Sequence, residues 1–174
     1  MMNALRFASL ALALTACSDQ PAQSTGPTPP PVTQGVAAFV SVDNLSARVG
    51  QTVRVRVEVQ VGSQQSYKVG SYTGRLRFNP ASLQFRAENA INDGMRIANN
   101  TGAPTGEIRF AGASATGFNT LVLYDGTFEV KATGYAAALA LQMEELSAAL
   151  SLTNLAPQLQ VNRQIFLSRT GVRN

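Results

Sequence analysis

Valine occupies every second position of Val53-Arg54-Val55-Arg56-Val57-Glu58-Val59-Gln60-Val61. Period-2 alternation sends all five valines to one face of a strand and Arg54, Arg56, Glu58 and Gln60 to the other. A helix would scatter the same valines around its circumference, so the segment reads as an antiparallel strand with one wet side. On that reading a charge at Val57 is costly, while reversing the charge at Arg56 next door is nearly neutral. Weaker alternation recurs over residues 39–42, 72–78, 83–87, 95–98, 108–112, 121–124, 127–130 and 161–167. Val49-Gly50-Gln51, Asn79-Pro80, Asn92-Asp93-Gly94, residues 99–106 and Asp125-Gly126 punctuate these runs at the spacing of about 8 to 12 residues expected of a sandwich or barrel. The predicted fold class is all-β.

Residues 136–152 carry a mixed signal. Their Ala, Leu, Met and Glu are good helix formers, yet Leu139, Leu141 and Met143 alternate within a β context. A strand over 138–143 is the expectation, with a short helix as its rival. No internal repeat of the period used by solenoids or propellers is evident.

The N-terminal part follows another pattern. Residues 7–14 form an apolar stretch behind Arg6, too short to span a bilayer, as a secretory leader requires. The tetrapeptide Leu14-Thr15-Ala16-Cys17 that closes it resembles the lipobox of bacterial lipoproteins. That resemblance implies cleavage before Cys17, a diacylglycerol on its thiol, an acylated new N-terminus and a membrane anchor. Ser18 in place of Asp resembles lipoproteins sent to an outer membrane. Residues 18–35 are Pro, Thr, Gln, Ser and Gly with almost nothing to bury, including Pro27-Thr28-Pro29-Pro30-Pro31. Such a segment is extended and semi-rigid at about 3 Å per residue, and reads as a tether. The expected organisation is a leader over 1–16, the lipidated cysteine and linker over 17–35, one domain over 36–169 and a tail over 170–174.

Composition adds bounds rather than an activity. A hydrophobic share of 45% and a mean hydropathy of +0.01 are those of a globular protein, and no other apolar run approaches the roughly 20 residues of a membrane-spanning helix. The formal charge is +4 from 14 basic and 10 acidic side chains; losing Arg6 with the leader leaves 13 against 10. The arginines are spread rather than clustered, which suits a solvated surface and gives no reason to expect nucleic acid. If Cys17 carries lipid, no thiol remains for a disulfide, and packing alone must stabilise the domain. The chain has no His, which removes the commonest general base, the commonest zinc ligand and the Ser-His-Asp arrangement.

Three stretches, in order, resemble the cohesin family and its carbohydrate-binding relatives. They are Val49-Gly50-Gln51-Thr52-Val53-Arg54-Val55, residues 70–83 (GSYTGRLRFNPASL) and Gly106-Glu107-Ile108-Arg109-Phe110-Ala111-Gly112. Thr127-Phe128-Glu129-Val130-Lys131-Ala132 followed by Gly134 is similar to a later family strand in which a Phe precedes a glycine turn. The resemblance implies an antiparallel β-sandwich of nine strands with jelly-roll topology. Family members commonly carry Asp-Pro where this chain has Asn79-Pro80; either Asx side chain can bond its own backbone two residues on, while Pro sets φ for the turn. The lost charge makes a metal at that corner doubtful.

Chemistry is sparse. Gly112-Ala113-Ser114-Ala115-Thr116-Gly117 has its second Gly one place too far for a nucleophile elbow. Glu144 and Glu145 are the only adjacent acidic pair, and on a regular strand they point to opposite faces. Asp93, Asp125 and Glu107 are distant carboxylates with no local support for a glycosidase pair. No metal, cofactor or catalysis is expected. Sugar recognition usually needs aromatic platforms; Trp is absent, Tyr72 shares parity with Leu76 and Phe78 and points inward, while Tyr67, Tyr124 and Tyr135 lie near turns and are freer.

Leu76 and Phe78 in one strand and Ile108 and Phe110 in another face inward by alternation, so Thr73, Arg75, Arg77, Glu107 and Arg109 face out. In cohesins the corresponding strands contribute to the dockerin-binding face, which makes these five the candidate partner-binding residues. The expected role is that of a lipid-anchored cell-envelope module recognising a dockerin-like protein. Two alternatives remain open: a polysaccharide-binding module, and a structural component of an envelope complex.

Overall fold

The computed structural model describes residues 26–167. Nine strands follow in order: β1 (Val36–Val42), β2 (Thr52–Val61), β3 (Val69–Arg77), β4 (Leu83–Glu88), β5 (Met95–Asn99), β6 (Glu107–Ala113), β7 (Val122–Val130), β8 (Ala140–Ala148) and β9 (Leu159–Leu167). Single 3-10 turns cover Ala103–Thr105, Tyr135–Ala138 and Ala156–Gln158. The strands form a five-stranded sheet, β4-β7-β2-β1-β9, and a four-stranded sheet, β5-β6-β3-β8. Their pairings are antiparallel except β1 with β9, which run parallel. Cys17 and the segments read from sequence as a leader and a C-terminal tail lie outside the described residues.

The valine alternation sets the centre of the larger sheet. Val53, Val55, Val57 and Val59 are buried, and Arg54, Arg56 and Glu58 between them lie on the opposite face. Against those valines the smaller sheet packs Tyr72, Leu76, Ile108, Phe110 and Leu146, all in one core. Burying side chains of this size contributes about 1.5 to 3 kcal/mol each. Phe110 stacks on Tyr124 with ring centroids 5.8 Å apart, and Tyr72 meets Phe118 at 5.3 Å. The Tyr72 hydroxyl donates to the Leu123 carbonyl at 2.9 Å, joining the two sheets through a hydrogen bond in the core. Gly112 has to be small, because a Cβ there would lie 2.5 Å from the Tyr72 ring. At the Asn79-Pro80 corner the Asn79 side chain accepts from the Ala81 N–H at 2.9 Å, the Asx turn that its sequence implies.

Three local expectations change. Residues 121–124 and 127–130 are not two strands around an Asp125-Gly126 turn. Residues 122–130 form one continuous strand, β7, in which Arg56 pairs with Asp125 and Val55 with Gly126. Gly126 serves packing there: a Cβ would lie 2.5 Å from the Tyr124 hydroxyl, so the missing side chain makes room for its aromatic neighbour. Second, the ambiguous stretch is a strand, but over Ala140–Ala148, with residues 135–138 wound into a 3-10 turn and Leu139 capping it. Third, β8 carries a bulge where Thr73 pairs with Glu145 and Gly74 with Met143, leaving Glu144 as the extra residue. The bulge resets the alternation, so Glu144 and Glu145 are both exposed instead of facing opposite ways.

Candidate functional site

The outer face of the four-stranded sheet brings the sequence-selected residues together. On β3 the outward positions are Ser71, Thr73, Arg75 and Arg77, and on β6 they are Glu107, Arg109, Ala111 and Ala113. The register pairs Thr73 with Ala111, Arg75 with Arg109 and Arg77 with Glu107. Glu107 lies at the centre of the charges: Arg109 Nε donates to it at 2.9 Å and Arg77 Nε at 3.2 Å, with Arg75 3.8 Å away. These cations hold the Glu107 carboxyl below the usual carboxylate range, the hydrogen bond from Arg109 foremost. Across β3, Arg75 also pairs with Glu144, and Ser71 donates to Glu145 at 2.9 Å. Arg77 and Arg109 remain more than half exposed, at 54% and 58% of the side chain. Exposed ion pairs of this kind contribute little to stability, so three arginines and three glutamates form a polar surface available to other groups rather than a brace.

Beside this charged strip lies an apolar corner that alternation did not signal. Met95 is 77% exposed and Ile97 70% exposed, on edge strand β5, where they pair with Ala113 and Ala111. A strand reading Met-Arg-Ile ordinarily turns its apolar residues inward; here Arg96 goes in instead. Its Nε donates to the Asp93 carbonyl at 2.7 Å, Nη1 donates to the Tyr72 hydroxyl at 2.8 Å and the Val122 carbonyl at 2.6 Å, and the guanidinium lies 4.4 Å from the Phe118 ring centroid. A desolvated guanidinium held by carbonyls and aromatic faces is accommodated. The consequence is an inverted β5 that presents Met95 and Ile97 to solvent.

The other candidate chemistries are not drawn together on this face. Asp125 lies on the outer side of the five-stranded sheet and is only 3% exposed. Its two oxygens accept from Arg54 Nε at 2.7 and 2.9 Å, Arg56 Nε at 2.9 Å and Asn89 Nδ2 at 2.8 Å. The hydrogen bond to Asp125 raises the Arg54 pKa above its ordinary value. Asp93 borders the same cleft, but its Oδ2 accepts the N–H groups of Asn119 and Thr120 at 2.8 and 2.6 Å, pinning a loop. Glu107 lies on the opposite sheet. The three carboxylates therefore do not form one acid–base pair. Among the described residues no group of three or more Cys, Asp or Glu side chains could hold a metal ion.

The tyrosines also differ from expectation. Tyr124 and Tyr135, read as turn residues, are each 2% exposed. Tyr124 is mid-strand because β7 runs through, and burial raises its hydroxyl pKa. Tyr135 donates to the Asn44 carbonyl, and burial pushes its pKa up to about 12. Tyr72 points inward as its parity requires. Tyr67 packs against the core edge, and none of the four makes a flat exposed platform.

No protein-family model matches the chain, and no curated protein matches it in sequence. Solved structures do match in fold. The sixth cohesin of scaffoldin B from Acetivibrio cellulolyticus, in complex with a dockerin, superposes with a TM-score of 0.53 at 14% identity, covering 72% of this chain and 94% of that one. The second type II cohesin module from a cellulosomal adaptor scaffoldin of the same organism gives 0.53 at 13% identity, covering 78% and 98%. A non-cellulosomal cohesin from the archaeon Archaeoglobus fulgidus gives 0.52 at 16% identity, covering 78% and 88%. The domain has the cohesin fold.

Proposed function

We propose that this chain is a non-catalytic binding module that recognises a protein partner through the outer face of its four-stranded sheet. The observation that carries the reading is the juxtaposition on that face of an exposed apolar corner, Met95 and Ile97, with the exposed guanidinium groups of Arg77 and Arg109. Apolar anchors beside arginines are the composition of an interface core, since Arg combines bidentate bonding with stacking and Met adapts its shape. Similar folds that are solved in complex with dockerins support a dockerin-like partner. With no tyrosine platform, a polysaccharide reading has less support.

The test is titration of the full chain with dockerin-type domains encoded in the same genome. Arg75→Ala with Arg77→Ala is expected to weaken capture at least tenfold without lowering the thermal midpoint, as truncating an interface hot spot costs about 2 kcal/mol or more. Met95→Asp with Ile97→Asp is expected to weaken it at least as much. Wild-type affinity in both double mutants would move the search to the loops.

The module is, in this proposal, held at the cell envelope by lipid on Cys17, most simply at an outer membrane. Cys17→Ser is expected to abolish fatty-acid incorporation and leave the precursor uncleaved, because the thiol is the acyl acceptor. Several acyl chains together anchor firmly, at about 0.8 kcal/mol per buried CH₂. Equal metabolic labelling of mutant and wild type would remove this part of the proposal.

A further inference from the structure

Phe39 and Phe166 face away from the sandwich core. In β1, Val36, Ala38, Val40 and Val42 enter the core opposite the valines of β2, which leaves Phe39 and Ser41 on the outer face; Ser41 in turn pairs with Phe166 of β9. Outward aromatic side chains on a single sheet layer ordinarily contact water, yet Phe39 and Phe166 are buried and meet edge to face at 5.3 Å. The linker passes beside them, with Pro27 at Leu167, next to Phe166, and Pro29 lining two clefts with Phe39. The Leu167 N–H donates to the Pro27 carbonyl at 3.0 Å, the Ser63 N–H to the Val32 carbonyl at 3.2 Å and the Gln64 N–H to the Thr33 carbonyl at 3.2 Å. The segment thus runs from the Leu167 end of β9 to the loop after β2, and Gly35, at φ 72°, reverses it into β1.

We infer that residues 27–33 are a releasable strap: docked, they seal Phe39 and Phe166, and lifted, they bare an apolar groove and lengthen the linker. Docking is favoured because a proline-rich segment is already extended and loses little entropy on being held. Its hold is shallow for two reasons. Proline has no N–H, so Pro29, Pro30 and Pro31 donate nothing to the sheet, and the three bonds above all use strap carbonyls as acceptors. Pro29 also borders two clefts open to solvent, one of about 420 Å³ shared with Phe39 and Val161 and one of about 240 Å³ shared with Phe39 and Leu121, so part of its surface meets water instead of packed side chains. If Cys17 carries the anchor, as proposed above, a docked strap leaves residues 17–25 as the leash, roughly 30 Å at full extension. Release of 27–33 adds roughly 20 Å more at about 3 Å per residue. The strap lies on the sheet opposite the proposed partner face, so neither state obstructs that face.

Hydrogen exchange on the full chain in detergent micelles tests this without partner or lipid readout, so it can fail while the binding proposal stands, and the reverse. In the wild type the amides of Ser63, Gln64 and Leu167 should be protected, but open locally at a rate insensitive to low denaturant, ahead of the β3–β8 ladder. Replacing Pro29, Pro30 and Pro31 by Gly should speed exchange of those three amides at least tenfold, leave the β3–β8 amides unchanged and raise binding of an apolar dye. Phe39→Ala should then destabilise the triple-Gly chain less than it destabilises the wild type, the mark of coupling between ring and strap. Unprotected Ser63, Gln64 and Leu167 amides in the wild type would overturn the inference, because the strap would not be docked. So would exchange that rises uniformly across both sheets in the triple-Gly chain, because the segment would then be inseparable from the fold.

Discussion

Val57→Asp is expected to unfold most of the domain at room temperature. Val57 has no exposed surface, lies at the middle of the central strand β2 and is flanked by Val40 and Tyr124 on the two neighbouring strands. Neither residue paired with it carries a charge, and burying an unpaired carboxylate costs several kcal/mol even after its pKa rises to neutralise it. The total stability of a domain this size is only about 5 to 15 kcal/mol. Urea unfolding followed by circular dichroism gives the check. A midpoint close to wild type would mean that β2 turns its other face to the core, since a one-residue slip exchanges the two faces.

Arg56→Asp is the second large effect, and it reverses what alternation alone suggests. Position 56 is on the outer face, as expected, but its guanidinium donates to a carboxylate that is almost fully buried. The replacement removes one of the two cations at Asp125 and sets a second anion beside it. Breaking a buried ion pair by losing one partner typically costs about 3 to 5 kcal/mol, because the remaining charge stays desolvated. We expect a loss of that order here, reduced in Arg56→Gln, which removes the cation without adding an anion. Asp125→Asn in the Arg56→Asp background should restore part of the loss by removing the like-charge contact. If Arg56→Asp unfolds in urea at the wild-type midpoint, Arg54 and Asn89 alone suffice to hold Asp125.

Alternation made much of the architecture legible because a half-buried strand has only two faces, and β2 writes its choice in five valines. The order of glycine, asparagine and proline turns was equally readable, since φ > 0 and the Asx turn are local properties, as at Gly50 and Asn79. Where local composition misleads, a distant partner overrides the local signal. Asp125-Gly126 has turn composition, but two arginines from β2 and the Tyr124 ring give both residues a use inside a strand. Glu144 and Glu145 share a face because of a bulge against β3, and no neighbour in sequence announces it.

The sequence by itself determined the fold class, the inward parity of β2, β3 and β6, and the outward position of Thr73, Arg75, Arg77, Glu107 and Arg109. Period and turn chemistry act over a few residues, so one chain is enough to read them. Only the tertiary structure decided that β5 presents Met95 and Ile97 to solvent, that Tyr124 and Tyr135 are buried, and that the proline segment lies on the β1–β9 face. Each of those outcomes is set by groups far away in sequence: carbonyls and rings that accept Arg96, a strand that runs through Asp125, and two phenylalanines facing outward. Local pattern gives the faces a strand offers, whereas what covers each face depends on which segments the topology brings beside it.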